Sequence, residues 1–489
     1  MNHTPSLIAV AFVALLASGC TPGPDYVRPE VQTPPAWRID YQQAADVANT
    51  RWWEQFGDPV LSDLIDTALA NNRDLMAAAA RVDAFIGRLD TTRAQFYPQA
   101  NYSADASRNR ITRVGASPLP SGADPYYTLY QGALGANWQL DLFGRVRRQA
   151  ESAQAQVYAS EQGRRGVVLS IVTSVAAAYI RLRALDRQLE ISQQTARNYA
   201  ETQRLFDLQH KGGVVSQLEV AQVQSQYQQA LAAIPALEQQ IAAQENLIAV
   251  LLGRAPYAIP RGKTLDELIP PSIPADLPSS LLERRPDILQ AEQVLISANA
   301  DIGAAKAQYF PQLSLTGTLG SISAAFGNFL SGPAGTWTVL AGLTGPIFTA
   351  GSIAGQVHSA EATTREAVAN YQQTVLTALR ETNDALIGSV KKQAEAQAQT
   401  LRVASLREYA RLGRVRFNNG YASYLEVLYA QNELFAAELA AVASNGERYT
   451  QLVDVYKALG GGWVDIADQQ TTAGRDTPLT DRVRSQPMF

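Results

Sequence analysis

The sequence predicts an α+β membrane protein built from short β-strands and very long α-helices, with an internal duplication. Three observations predict this class: an order of motifs that occurs twice, four segments in which polar and apolar residues alternate, and two long segments nearly free of glycine and proline. We expect the strands to form a transmembrane β-barrel with strands of other copies, and the long helices to pack as a coiled coil.

The duplication rests on motifs that recur in the same order. Residues 94–99 read AQFYPQ and residues 307–312 read AQYFPQ, while residues 218–220 and 425–427 both read LEV. Gly213 and Gly420 precede the two LEV motifs at the same spacing, and a looser match joins residues 73–75 to residues 286–288. One structural unit is therefore predicted to occur twice.

Four segments alternate with the period of a β-strand, namely residues 100–107, 134–142, 313–320 and 337–344. Alternation of apolar and polar residues predicts a sheet with one apolar face and one polar face in contact with water. A soluble antiparallel sheet would show the same alternation, but it would be expected with more strands and shorter helices.

Long helices are predicted after each pair of strands, over residues 145–211 and 352–418. At about 1.5 Å per residue, each would be a rod roughly 100 Å long. The returning helices, from Val220 and from Leu425, carry apolar residues at heptad spacing, which predicts a left-handed coiled coil. Pro235 is expected to kink one of them, and Gly213 and Gly420 are expected at the tips of two helical hairpins.

Four strands cannot close a barrel, because the smallest transmembrane barrels have about eight. In lipid every strand edge must be paired, so strands of several copies must join. A dimer would supply eight strands and a trimer twelve, and barrel geometry leaves both open.

The N-terminus predicts export and a lipid anchor. Residues 7–17 form an apolar run that is too short to span a bilayer, and Cys20, the single cysteine of the chain, follows directly. Residues 16–20 (LASGC) resemble a bacterial lipobox, so we expect a signal peptide over residues 1–19 and covalent lipid on Cys20. Thr21 favours the outer membrane by the same resemblance. An ordinary signal peptide with an incidental cysteine remains the alternative.

Composition excludes several classes of function. The net charge of −4 and the absence of any run of five basic residues make nucleic acid an unlikely partner. Beyond the first twenty residues no stretch of about 18 consecutive apolar residues occurs, so a spanning α-helix is not expected. The three histidines, His3, His210 and His358, are far apart in sequence, so no metal site is predicted. The sequence contains no catalytic constellation, so an enzyme is not predicted. Residues 389–392 match a serine–lysine motif without its companion motifs, which indicates coincidence.

Four blocks resemble a known family. Residues 52–61 (WWEQFGDPVL), 138–145 (WQLDLFGR), 281–288 (LLERRPDI) and 456–463 (YKALGGGW) are similar to motifs of the TolC-like outer-membrane factor family, in its OprM/NodT-type lipoprotein branch. The resemblance implies a homotrimer with a twelve-stranded barrel in the outer membrane, continuous with a long coiled-coil barrel of twelve α-helices that forms a tunnel across the periplasm. It further implies a passive duct that exports small molecules such as drugs and toxic compounds. The implied partners are a periplasmic adaptor protein and an inner-membrane pump of the resistance-nodulation-division type.

The resemblance also implies functional positions. Leu425, Glu426 and Tyr429 fall at or beside the periplasmic gate of the family, and the tips at Gly213 and Gly420 would dock the adaptor. Relatives often carry aspartate at the position of Tyr429, which leaves Glu426 as the charged candidate. Alternatively, Glu426 is a solvated charge on a helix face and Leu425 a residue of the coiled-coil seam.

The predicted organisation has six parts: the signal peptide (1–19), a lipid-anchored N-terminal segment (20–70), a first repeat (71–252), a linker (253–284), a second repeat (285–463) and a polar tail (464–489). Two other functions share parts of this pattern. A type I protein-secretion duct would have the same architecture, whereas a non-channel periplasmic coiled-coil lipoprotein would leave the four amphipathic strands unexplained.

Overall fold

The computed structural model describes residues 22–31, 34, 50–114, 119–120, 122–273, 284–460 and 463–471. Cys20, the predicted site of lipid attachment, lies outside the described residues, as do the signal peptide and most of the predicted polar tail.

The described chain has two copies of one order of elements. The helices and strands are α1 (Pro59–Asn71), α2 (Arg73–Arg93), β1 (Gln99–Arg110), β2 (Tyr126–Leu140), α3 (Arg145–Lys211), α4 (Gln217–Leu251), α5 (Pro286–Lys306), β3 (Gln312–Ser323), β4 (Gly335–Thr344), α6 (Ser352–Asn418), α7 (Tyr424–Leu459) and α8 (Trp463–Asp468). The order α2-β1-β2-α3-α4 recurs as α5-β3-β4-α6-α7. Helices α2 and α5 each have 21 residues, and α3 and α6 each have 67. The predicted α+β class and its duplication are confirmed.

The four strands form one antiparallel sheet in the order β1-β2-β3-β4. Its register aligns one row of large side chains across all four strands: Tyr102, Leu134, Leu319 and Trp337. These four side chains are between 63% and 83% exposed. The opposite face carries mainly serine, threonine, asparagine and glutamine, so the predicted separation into an apolar and a polar face is present.

Strand β2 differs from its predicted bounds, residues 134–142. It begins eight residues earlier, at Tyr126, and ends at Leu140. Adjacent tyrosines at its start, Tyr126 and Tyr127, hide the period of two. Asp141 does not continue the strand, because its carboxylate accepts hydrogen bonds from the amides of Val146 and Arg147 at 3.0 and 2.9 Å and so caps α3.

Contacts between Cα atoms divide the chain into two compact units. The first comprises Met1–Pro29, Asp83–Ala159 and Ala291–Tyr371 and contains the sheet. The second comprises Glu30–Val82, Ser160–Gln290 and Gln372–Phe489 and contains both helical hairpin ends. Each repeat contributes residues to both units, because α3 and α6 run through them.

An aromatic cluster forms part of the core of the second unit. Trp52 stacks on Tyr456 with ring centroids 4.8 Å apart, and it meets Trp53 and Trp463 edge-on, each at 5.8 Å. Phe56 packs against the same cluster. The two motifs at residues 52–61 and 456–463 therefore share one hydrophobic core.

Helix α3 supplies the apolar segment of that core. It contains an 18-residue window with mean hydropathy 1.6, long and apolar enough to cross a membrane, and 67% of the window is buried inside the protein. The window passes this test although polar residues interrupt it, so it contains no run of 18 consecutive apolar residues. Burial of Val168, Val172, Val175 and Tyr179 identifies the segment as a core helix.

Candidate functional site: the helical hairpin ends

Two hairpins, α3–α4 and α6–α7, end in the same backbone motif. Gly213 and Gly420 adopt left-handed conformations with φ of 74° and 77°. At the first tip the amides of Gly213 and Val214 donate to the carbonyls of His210 and Gln209, at 2.9 and 2.8 Å. The second tip has the same pair of hydrogen bonds, from Gly420 and Tyr421 to Phe417 and Arg416, both at 2.9 Å. Both tips are Schellman motifs, as the predicted hairpin glycines require.

The hairpins differ in the first turn of the returning helix. In the first, Ser216 and Glu219 form a capping box, in which the Ser216 amide donates to the Glu219 carboxylate at 2.7 Å. The equivalent serine of the second, Ser423, makes no side-chain cap bond. Glu426 instead accepts a hydrogen bond from the Arg416 guanidinium at 2.9 Å.

A difference between the two repeats in one residue of the outgoing helix, α3 or α6, accounts for this difference. The position equivalent to Arg416 in the first hairpin is Gln209, which carries no charge. Glu219 therefore turns back to its own helix end, whereas Glu426 crosses to α6. Glu426, 26% exposed in its side chain, is thus an ion-paired residue rather than a free solvated charge.

We expect the two serines to respond differently to alanine. Ser216→Ala removes a capping box and should destabilise the end of α4 by about 1 kcal/mol, whereas Ser423→Ala should cost a few tenths at most. Hydrogen–deuterium exchange of the amides in the first turns of α4 and α7 measures both effects. Equal acceleration in the two variants would contradict the assignment of the caps.

Leu425 and Tyr429 lie on the exposed face of α7, 56% and 59% exposed. Tyr424, Val427 and Leu428 are buried on the opposite side of the helix. The seam alternative for Leu425 is therefore not what the described contacts show. Both side chains remain available to surfaces beyond the protomer, and their predicted role at a gate stays a prediction.

Tyr424 joins the second hairpin to helix α3 and was missed in the heptad assignment. Its ring lies 4.2 Å from that of Phe206 and 5.0 Å from that of Phe417, centroid to centroid. Tyr199 belongs to the same cluster, and burial raises the pKa of its phenol to about 12. The available signal was the spacing between Tyr424 and Leu428, because Leu428 is on the assumed seam and a residue four positions before it shares its helix face.

Ion pairs connect α6 to α7 at positions further from the Gly420 tip. Arg407 binds Glu438 at 2.7 Å, and Lys392 binds Glu447 at 2.6 Å. These pairs are largely exposed, so each contributes at most about 1 kcal/mol. Lys392 of the serine–lysine motif is thus ion-paired with carboxylates. Ser389 of the same motif is buried and donates to the Leu386 carbonyl at 2.8 Å. Among the described residues no group of three or more metal-ligating side chains occurs.

The polar face of the sheet is a second candidate surface. Its side chains in β1 to β4 are neutral apart from that of Asp105. This residue lies opposite Gln131 of the neighbouring strand. Opposite faces of different polarity suit a wall with lipid on one side and water on the other.

Comparison with known proteins identifies close relatives. The family model described as outer membrane efflux protein matches residues 64–254 and 277–461. The chain is 36% identical over 486 residues to the antibiotic efflux pump outer membrane protein ArpC of Pseudomonas putida. This match covers 97% of this chain and 99% of the relative. It is 32% identical over 458 residues to the cation efflux system protein CusC of Escherichia coli, covering 92% and 97%. A solved membrane protein from Pseudomonas aeruginosa superposes with a TM-score of 0.84 at 33% identity, covering 91% of this chain and 98% of that one.

Proposed function

The chain belongs to the outer membrane efflux protein family and is an outer-membrane channel of a tripartite efflux system, and we propose that its cargo is organic small molecules such as antibiotics. It is a transport component and not an enzyme. The observation that carries the cargo proposal is the exposed apolar pair Leu425 and Tyr429 at the end of the second hairpin. An apolar and aromatic constriction favours molecules that lose little hydration on passing it.

The identities favour the same cargo. The antibiotic efflux relative is the more similar of the two at 36%, against 32% for the cation efflux relative. An adaptor and an inner-membrane pump complete the tripartite system. We propose that the pump is of the resistance-nodulation-division type, and that the hairpin tips at Gly213 and Gly420 receive the adaptor.

We propose that three copies form the channel. Within the described sheet, β1 and β4 each pair on one side only, so two edges present unpaired amides and carbonyls. In lipid these edges must be satisfied by strands of further copies. Three copies would close a barrel of twelve strands, and covalent lipid on Cys20 would hold each copy to the outer membrane.

A complementation assay tests the cargo. We expect the chain, expressed with a matching adaptor and pump in a strain without its own outer-membrane channels, to restore resistance to antibiotics and to leave tolerance to toxic metal cations unchanged. Native mass spectrometry of the purified channel, expected to give the mass of three copies, verifies that assembled channels are present. Restored metal tolerance without antibiotic resistance would contradict the proposal.

A further inference from the structure

Two arginines lie on the apolar face of the sheet, at the end opposite to the helices. Arg108 pairs with Thr128 and Arg110 with Tyr126 in the register of β1 and β2. Both arginines are an even number of residues from Tyr102, so they share its face, and both are exposed. Their guanidinium carbons lie 5.9 and 5.7 Å from the centroid of the Tyr126 ring.

Their height on the sheet corresponds to a membrane interface. Tyr102 belongs to the exposed apolar row of the sheet. Arg108 is six residues beyond Tyr102, which is about 20 Å further along the strand. Between the two levels Tyr130 meets Phe326 edge-on, with ring centroids 5.5 Å apart. Aromatic girdles mark the boundary between the apolar band of a barrel and the lipid headgroups. The two guanidinium groups therefore lie at headgroup level, on the side that faces lipid.

Protein carboxylates do not neutralise this pair in the described chain. Neither arginine is among its ion pairs, Asp105 points to the opposite face, and Asp124 accepts a hydrogen bond from the Tyr126 amide at 2.9 Å. A second copy that pairs along β4 would not supply a carboxylate, because residues 312–351 contain no aspartate or glutamate. The positive charge is therefore available to an anion from outside the protein.

We propose that Arg108 and Arg110 bind a phosphate group of a phosphorylated glycolipid of the outer leaflet, lipid A. Guanidinium groups bind phosphate oxygens through paired, charge-assisted hydrogen bonds. The two side chains start about 7 Å apart on one face of the strand, so they can reach a single phosphate from two sides. The Tyr126 ring restricts both side chains by cation–π contact, which lowers the entropy lost on binding. The site fixes the height of the channel in the asymmetric outer membrane.

Binding of fluorescent diphosphoryl lipid A to the purified full chain in non-ionic detergent tests this site. The double variant R108Q/R110Q should bind about tenfold more weakly than the wild type, because each charge-assisted hydrogen bond makes a large contribution. R108K/R110K should retain part of the affinity, since the charge remains. The matched control is R88Q, because Arg88 lies over the Phe85 ring at 4.9 Å outside the sheet, and it should bind like the wild type.

A second comparison uses the unchanged protein. Lipid A without its phosphates should bind the wild type as weakly as diphosphoryl lipid A binds the double variant. Equal affinity for the two lipids would overturn the proposal, as would an equal loss of affinity in R88Q. Competition by millimolar inorganic phosphate as strong as that by lipid A would also overturn it, because a free anion would then be the ligand.

Discussion

Asp58→Ala is expected to destabilise the second unit by about 3 kcal/mol or more and to lower its thermal unfolding midpoint by several degrees. Asp58 is 1% exposed. One carboxylate oxygen accepts the Val60 amide at 3.0 Å and caps α1, while the other accepts the Tyr179 hydroxyl at 2.8 Å and the Lys263 amide at 3.0 Å. Alanine would leave these three donors unpaired in the protein interior, and each unpaired group costs about 1–3 kcal/mol.

The tryptophans beside this site provide the signal, since Trp52 and Trp53 are fully buried in the same unit. Their fluorescence during heating in detergent measures the midpoint. Asp63→Asn is the matched control, because Asp63 is exposed on the same helix, and it should leave the midpoint unchanged. Gly262→Ala should resemble Asp58→Ala, because a Cβ at Gly262 would overlap the Asp58 carboxylate. A midpoint of Asp58→Ala equal to that of Asp63→Asn would disprove the role assigned to Asp58.

These contacts explain physically a motif that the sequence offered only as a resemblance. Within residues 52–61, Trp52, Trp53 and Phe56 supply core rings, Gly57 adopts a left-handed φ of 68°, and Asp58 caps the following helix. The cap residue and the proline after it are visible as a helix start. The partners of Asp58 on α3 and in the linker are not, because they lie more than a hundred positions away in sequence.

Much of the fold could be predicted because it depends on local signals. Helices α3 and α6 have their predicted bounds, since each ends at a glycine tip and contains no proline. Pro235 was expected to kink α4, and the helix continues through it from Gln217 to Leu251. The pairing of Glu426 with Arg416 could not be predicted from the repeat, because the equivalent Glu219 accepts a hydrogen bond from its own helix end instead. It required knowledge of which residue of the neighbouring helix lies opposite.

Leu425→Ala and Tyr429→Ala are each expected to raise the ratio of open to closed channel about tenfold in planar bilayers. In the proposed trimer three copies of each side chain would meet at the periplasmic entrance, and truncation removes apolar surface that the closed state buries. At about 25 cal/mol per Å², a total loss of some 60 Å² over the three copies, about 20 Å² from each, shifts the equilibrium by about 1.5 kcal/mol, which is roughly a factor of ten. Glu426→Gln should have a smaller effect, since it breaks an exposed pair with Arg416 that contributes at most about 1 kcal/mol.

The duplication supplies the control for this experiment. Leu218 is the counterpart of Leu425 in the first hairpin and is 67% exposed, so Leu218→Ala removes the same group from an equivalent helix position. It should leave the single-channel currents unchanged, because only the second hairpin is proposed to line the entrance. Equal activation by Leu218→Ala would mean that loosening of either hairpin opens the channel. Unchanged currents in Leu425→Ala and Tyr429→Ala would place the constriction elsewhere along the duct.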